Sequence, residues 1–316
     1  MPQSNLAAVC DLSPDNLKKV KNLFSEVAVT QEYDDLLNNP EIDAIVIAAS
    51  APIHYDLAKR ALDANKHILV EKPLTLSSET SRDLIDRAEK ANRILMVGHL
   101  LEYHSAVEHM KGLVESGTLG DVLYLYSQRL NLGQVRKDEN ALWSLAPHDF
   151  SIIFYLLGGK DPVEVTAVGQ SYLTEGVEDV VFCSVKFKDK TMAHIHVSWL
   201  DPHKARKITV VGNKKMAVFD DMESSEKIRI YDKGVGSGED YKTYGEDLTL
   251  RFGDITIPTV KLKEPLRAEC EHFVECIETG RTPRSDGYNG LRVVKALEAA
   301  HTSLKNGGQL VRISEA

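Results

Sequence analysis

The stretch His67-Ile68-Leu69-Val70-Glu71-Lys72-Pro73 carries the reading of this chain. Its short aliphatic run has the length and composition of a buried β-strand, and the carboxyl ends of strands are where open α/β sheets place their chemistry. Pro73 disfavours helical backbone at the residue before it, so Lys72 is held extended at the strand end. A cation so placed can hydrogen-bond a substrate hydroxyl and stabilise an alkoxide as charge develops. The competing reading is an ion pair at the end of a surface strand.

The flanking sequence repeats the pattern. Leu6–Cys10 reads as a strand ended by Asp11, and Ser13-Pro14-Asp15 opens a helix with a cap residue and a first-turn proline. Ile42–Ala48 reads as the next strand, followed by helices over Ile53–Asn65 and Ser77–Ala91 and a strand over Ile94–Val97. Near-continuous apolar strands alternating with helices mean a parallel sheet covered on both faces. The alternation stops near Gly98, which predicts one domain over 1–98 and a second over 99–316. In the second, Ala106–Glu115 reads as a helix, Val122–Leu130 as a long strand and Pro147–Leu157 as a short helix. Alternating or β-branched segments from Val163 to Phe219 predict a large, mostly antiparallel open sheet. Asp232–Glu246 reads as an exposed loop, and helices over Pro265–Thr279 and Gly287–Lys305 follow it.

Composition excludes several classes. At 316 residues, 43% hydrophobic and 27% charged, the chain suits a two-domain globular protein, and its formal charge of −9 argues against nucleic-acid or anionic-membrane partners. Cys10, Cys183, Cys270 and Cys276 form no CxxC pair, so free thiols in a reducing cytoplasm are expected. No signal segment or membrane span is read from the start or from the most apolar run, Ala44–Ala49. No metal-ligand spacing is found.

Several residues are chemical candidates. Asp11, ending a strand of a dinucleotide-binding unit, suits the adenosine ribose hydroxyls and favours NAD over NADP; it equally suits capping of the helix opened by Ser13-Pro14. The small-residue turn Ala48-Ala49-Ser50, with His54 nearby, allows close approach of a cofactor. His148 has the side chain for a base near neutrality, with Asp149 either orienting it or capping a helix through Pro147. Arg129, Asn131, Arg136, Lys137, Asn140 and Trp143 suit a phosphorylated or nucleotide-linked ligand. Tyr124 and Tyr126 suit sheet packing or a substrate platform.

Taken together, Glu71-Lys72-Pro73, Val97-Gly98-His99, Tyr103-His104, Ser127–Gly133, Asn140–Trp143, Ala146-Pro147-His148-Asp149 and Gly280-Arg281-Thr282-Pro283 resemble the Gfo/Idh/MocA oxidoreductases over nearly the whole chain. The resemblance is nearest to members that oxidise the 3-hydroxyl of UDP-N-acetylglucosamine or its uronic acid. It implies a Rossmann-type NAD-binding domain followed by an α+β domain whose open sheet mediates a homodimer or homotetramer. It implies Lys72 and His148 as the catalytic pair. Asp11, Ala48, Ala49, Ser50, His54, Glu71, Lys72 and Trp143 then fall to the cofactor. His99, Tyr126, Arg129, Asn131, Asn140, His148, Asp149 and Lys204 fall to a nucleotide-sugar or other polyol. Two departures stand out: Ser144 occupies a place where the family usually has aspartate, and no GxGxxG loop or preceding strand occurs. The expected doubly wound sheet therefore lacks its first strand, which lies centrally in the usual order. Either residues upstream of this sequence supply that strand and loop, or the first domain has rearranged, which opens a second functional reading, a non-catalytic sugar sensor or scaffold with impaired cofactor binding.

Overall fold

The computed structural model describes residues 3–133, 135–137, 139–237 and 248–313. The chain divides into two compact units, Met1–Gly98 with Leu266–Leu291, and His99–Pro265 with Arg292–Ala316. This corrects the expected division at one place, because Leu266–Leu291 returns to the first unit.

In the first unit the elements run β1 (Ala8–Cys10), α1 (Pro14–Leu23), β2 (Ala28–Thr30), α2 (Tyr33–Leu37), β3 (Ala44–Ile47), α3 (His54–Asp63), β4 (His67–Glu71), α4 (Ser78–Ala91) and β5 (Leu95–Gly98). All strand pairs are parallel, but they form two ladders, β1-β2 and β3-β4-β5. Among the described residues no strand pairs with the outer edge of β1 or of β3. β4 is central in its ladder, and Ile68, Leu69 and Val70 are buried, as a continuous aliphatic run requires. β3 is half open: Ile45 and Ile47 are buried while Val46 is 58% exposed. β2 is too short and too exposed to leave a periodic signal, and the sequence reading passes over it.

The returning segment covers the free edge of β5. Val97 N–H donates to the Ser285 carbonyl at 2.7 Å, and Ser285 Oγ–H donates to the Val97 carbonyl at 2.7 Å. A Cβ at Gly290 would stand 2.8 Å from Val97 Cγ2, so glycine is what permits this approach. Covering an edge strand satisfies its backbone groups and blocks pairing with other chains.

The second unit holds α5 (Ser105–Glu115), β6 (Val122–Leu130), α6 (Ala141–Leu156), β7 (Pro162–Gln170), β8 (Val180–Phe187), β9 (Met192–Ser198), β10 (Ala205–Gly212), β11 (Met216–Asp220), β12 (Ile228–Ser237) and β13 (Leu248–Thr256). The helices α7 (Pro265–Thr279), which from Leu266 onward belongs to the first unit, and α8 (Gly287–Lys305), which belongs to the second from Arg292, follow, and β14 (Val311–Arg312) ends the order. The nine strands lie in the order β13-β12-β11-β10-β6-β9-β8-β7-β14, with β6-β9 the one parallel pair. One face is sealed by Phe150, Ile153 and Phe154 of α6, Val107 and Met110 of α5, and Val293 and Leu297 of α8. The other leaves Tyr124, Tyr126, Phe182 and Met192 exposed.

Two expectations fail here. α6 begins at Ala141, not near Pro147: Asn140 caps it, and Pro147 lies inside it. An interior proline costs about 3 kcal/mol, which the burial of Leu142, Phe150, Ile152, Phe154 and Leu156 outweighs, at roughly 1.5–3 kcal/mol per large side chain. The loop expected over Asp232–Glu246 is instead strand as far as Ser237, and residues 238–247 lie outside the described residues. All four cysteines are free, and burial pushes the Cys183 thiol up to about 12. Among the described residues no helix is long and apolar enough to cross a membrane.

Candidate functional site

The parallel ladder β3-β4-β5 brings several candidates to one edge. The last rung between β3 and β4 is Ile47–Val70, and Glu71 pairs with Gly98 of β5, so Ala48 and Lys72 leave the ladder together at its carboxyl end. Glu71 Oε2 accepts from the Lys72 backbone N–H at 3.2 Å. A Cβ at Gly98 would stand 3.1 Å from both the Glu71 Cα and its Oε2, so the glycine makes room for the glutamate. Ala48, Ala49 and Ser50 are exposed, whereas His54, at the start of α3, is buried. The turn thus offers an accessible, nearly Cβ-only surface next to a half-buried lysine. That surface fits a flat ring laid against backbone.

Asp11 lies at the end of β1, in the other ladder. Its Oδ1 accepts from the Ser13 backbone N–H at 2.7 Å and its Oδ2 from Asn16 Nδ2 at 3.0 Å. These bonds, the Ser13 amide first, hold its carboxyl below the usual aspartate range. The local helix-entry role left open by the sequence is therefore present. A carboxylate retains further lone pairs, with which it can also accept from ribose hydroxyls. In this sequence no glycine-rich turn supplies amides for a pyrophosphate; the residues that fit a dinucleotide are those suited to its ribose and ring.

In the second unit the candidates separate by face. Along β6, Ser127 and Arg129 point to the helix-covered side, while Tyr126 lies on the open side with His194 of β9 as its register partner. The structure therefore does not bring Tyr126 together with Arg129, since a strand alternates faces at every residue. Asp149 of α6 is 1% exposed; it accepts from Arg129 Nε at 2.7 Å and from the Ser127 hydroxyl. Arg129 and Asp149 are brought together, and each is bound to the other. His148 precedes Asp149 on the helix and so points about 100° away from it; it shares its face with Ser144, one turn earlier.

Asn140 is committed locally. Its Oδ1 accepts from the Trp143 backbone N–H at 3.1 Å, capping α6, and its Nδ2 donates to Glu178 Oε2 at 2.6 Å. Lys305 Nζ reaches Glu178 Oε1 at 3.0 Å. Burial alone would raise the Glu178 carboxyl, but the bonds from Asn140 and Lys305 hold it below its usual value. The Trp143 ring meets His301 edge-on at 6.5 Å. His99 and Glu102 are fully buried, with Nδ1 3.5 Å from Oε1. Asn131 and Lys204 are exposed, and Arg136 pairs with Glu139 at 3.0 Å. The sequence reading missed Ser127, Glu178 and Glu102; only the alternation along β6 could have flagged Ser127.

Comparison with known proteins bears on the family and the fold. Residues 1–99 match the model of the oxidoreductase family with an NAD-binding Rossmann fold named GFO_IDH_MocA, and residues 107–218 match the GFO/IDH/MocA C-terminal domain. A UDP-N-acetylglucosamine 3-dehydrogenase of Acidithiobacillus ferrooxidans is 27% identical over 296 residues, covering 93% of this chain and 88% of that protein. The solved structure of that enzyme, GnnA, superposes with a TM-score of 0.78 at 26% identity, covering 95% of this chain and 90% of the other. An inositol 2-dehydrogenase of Salmonella typhimurium is 26% identical over 156 residues, 48% of this chain and 46% of that one.

Proposed function

We propose, from the premise that this chain belongs to the Gfo/Idh/MocA family of oxidoreductases and carries its NAD-binding Rossmann domain, that it oxidises a ring hydroxyl of a nucleotide-linked amino sugar. The observation that carries this reading is the placement of Lys72 just beyond the Glu71–Gly98 rung, beside the exposed Ala48–Ser50 turn. Asp11 would hold the ribose and the Ala48–Ser50 turn the ring of NAD, which when bound supplies the hydride acceptor. Lys72 donates a hydrogen bond to the reacting hydroxyl and stabilises the alkoxide as its proton departs. His148 accepts that proton. Arg129 and Asp149, bound to each other, hold α6 and with it His148 against β6.

The similarity to a UDP-N-acetylglucosamine 3-dehydrogenase over most of the chain supports that sugar nucleotide, with C3 as the carbon oxidised. The open face of the nine-stranded sheet, carrying Tyr124, Tyr126, Phe182 and Met192, is the surface for self-association. A second reading, a sugar sensor that binds ligand without turnover, is favoured by the edges of β1 and β3, which no strand pairs among the described residues. Calorimetric titration of NAD, followed by UDP-N-acetylglucosamine, its uronic acid and myo-inositol with NADH absorbance recorded, separates the two. NAD binding and NADH formation with the sugar nucleotide support the dehydrogenase. Sugar binding with no NAD binding supports the sensor.

A further inference from the structure

We infer that His54 is a positioning residue that fixes the Lys72 segment against the Ala48–Ser50 turn; this rests on the role of Lys72 proposed above. The backbone ladder between β3 and β4 ends at Ile47–Val70. Beyond that rung no strand pairing joins the turn after β3 to the segment after β4, although the proposed chemistry needs both held in register. His54 spans this place. Its Nδ1 lies 2.8 Å from the Pro73 carbonyl oxygen and its Nε2 3.0 Å from the Ala49 carbonyl oxygen.

The ring is 1% exposed and stands on the first turn of α3, a helix anchored by the fully buried Ala58 and Ala61. Its geometry is unusual for a merely space-filling side chain. Both nitrogens face acceptors, and a neutral imidazole carries one N–H while an imidazolium carries two. The ring therefore ties at least one of the two carbonyls to α3 and stands against the other in either protonation state. One of these carbonyls belongs to the residue directly after Lys72, and the other to the middle of the small-residue turn. The sequence singles out His54 only by its place after the small-residue turn, and its assignment to cofactor contact is replaced by this one: with the ring buried and a carbonyl facing each nitrogen, it acts through its neighbours.

The test combines hydrogen exchange in the protein without ligand with steady-state kinetics. In His54→Ala, amide exchange at Ser50, Ala51, Ile53, Leu74 and Thr75 is expected to accelerate about fivefold to tenfold, the effect of one lost hydrogen bond, with the rest of residues 3–98 unchanged. Turnover is expected to fall about 10²-fold through misplacement of Lys72, with the KM for UDP-N-acetylglucosamine unchanged. In the double variant with Lys72→Met the loss is expected to be no greater than for Lys72→Met alone, because the two act as a unit. His54→Gln, which keeps one amide donor, should recover part of both effects, and it stands in for the alanine variant if that one fails to fold. Exchange raised evenly across residues 3–98, or unchanged exchange and turnover in a folded His54→Ala protein while Lys72→Met is inactive, overturns the inference and leaves the proposed function standing. Full turnover in Lys72→Met overturns the proposed function, while the exchange pattern still reports on His54.

Discussion

The carboxyl edge of the β3-β4-β5 ladder and the β6–α6 face use polar residues in opposite ways. At the first, an exposed turn of small residues and a half-buried lysine stand beyond the last rung, held by the neighbouring Glu71, Gly98 and His54. At the second, Asp149 answers Arg129 and Ser127, and Asn140 answers Glu178 and the amide of Trp143. Residues that look alike as binding candidates in the sequence thus differ in whether a partner distant in sequence holds them inside the fold. A buried polar atom must find a partner, and once it has one it is expensive to disturb.

This contrast can be broken from either side. The largest expected effect is on stability at the second region: Asp149→Ala leaves Arg129 without its carboxylate, and removing one partner of a buried pair costs about 3–5 kcal/mol, measurable as a lowered denaturant midpoint. The next is on chemistry at the first region. Lys72→Met should lower kcat by about 10²–10³, the range for losing one preorganised donor, with the denaturant midpoint unmoved. Gly98→Ala comes third. Its methyl would press on the Glu71 backbone and carboxylate, an overpacking that costs about 1–3 kcal/mol, and because Glu71 precedes Lys72 it should lower both midpoint and turnover.

The smallest effect concerns pH. Burial holds the imidazoles of His194 and His196, which stack near Phe182, below the usual histidine value. A depressed folded-state value means that the unfolded chain takes up protons first. Their contribution to stability is therefore present above the unfolded value, about 6.5, and is lost as pH falls below it through the folded values. Thermal midpoints of the wild type should drop from pH 7 to 5, and His196→Gln should flatten the drop. An equal drop in that variant would remove His196 from the account.

Much of the first region is legible in sequence because its signals are local. An aliphatic run of strand length followed by Glu-Lys-Pro places Lys72 without knowledge of any other element, and a strand end followed by Ala48-Ala49-Ser50 places the turn. The second region is less legible because its decisive contacts are long-range. The bond between Asn140 and Glu178 spans 38 residues, and that from Arg129 to Asp149 spans 20, so no spacing rule reveals them. The start of α6 was obscured by Pro147, whose local cost is outweighed by packing from elements distant in sequence. The return of Leu266–Leu291 to the first unit depends on Ser285 meeting Val97, which only the folded chain brings about. The faces of β6, by contrast, follow from simple alternation, and Tyr126 and Arg129 fall on opposite sides for that reason alone.

The central claim is that Lys72 at the ladder edge serves the chemistry and the Arg129–Asp149 ion pair serves the structure. Its most direct measurement is a paired assay of Lys72→Met and Asp149→Asn, recording NADH formation with UDP-N-acetylglucosamine and the denaturant midpoint of each protein. A crossed result is expected: Lys72→Met loses turnover at wild-type stability, and Asp149→Asn loses stability while folded protein under native conditions retains the larger share of turnover. Wild-type turnover in Lys72→Met, or turnover abolished in an Asp149→Asn protein of undiminished stability, would contradict it.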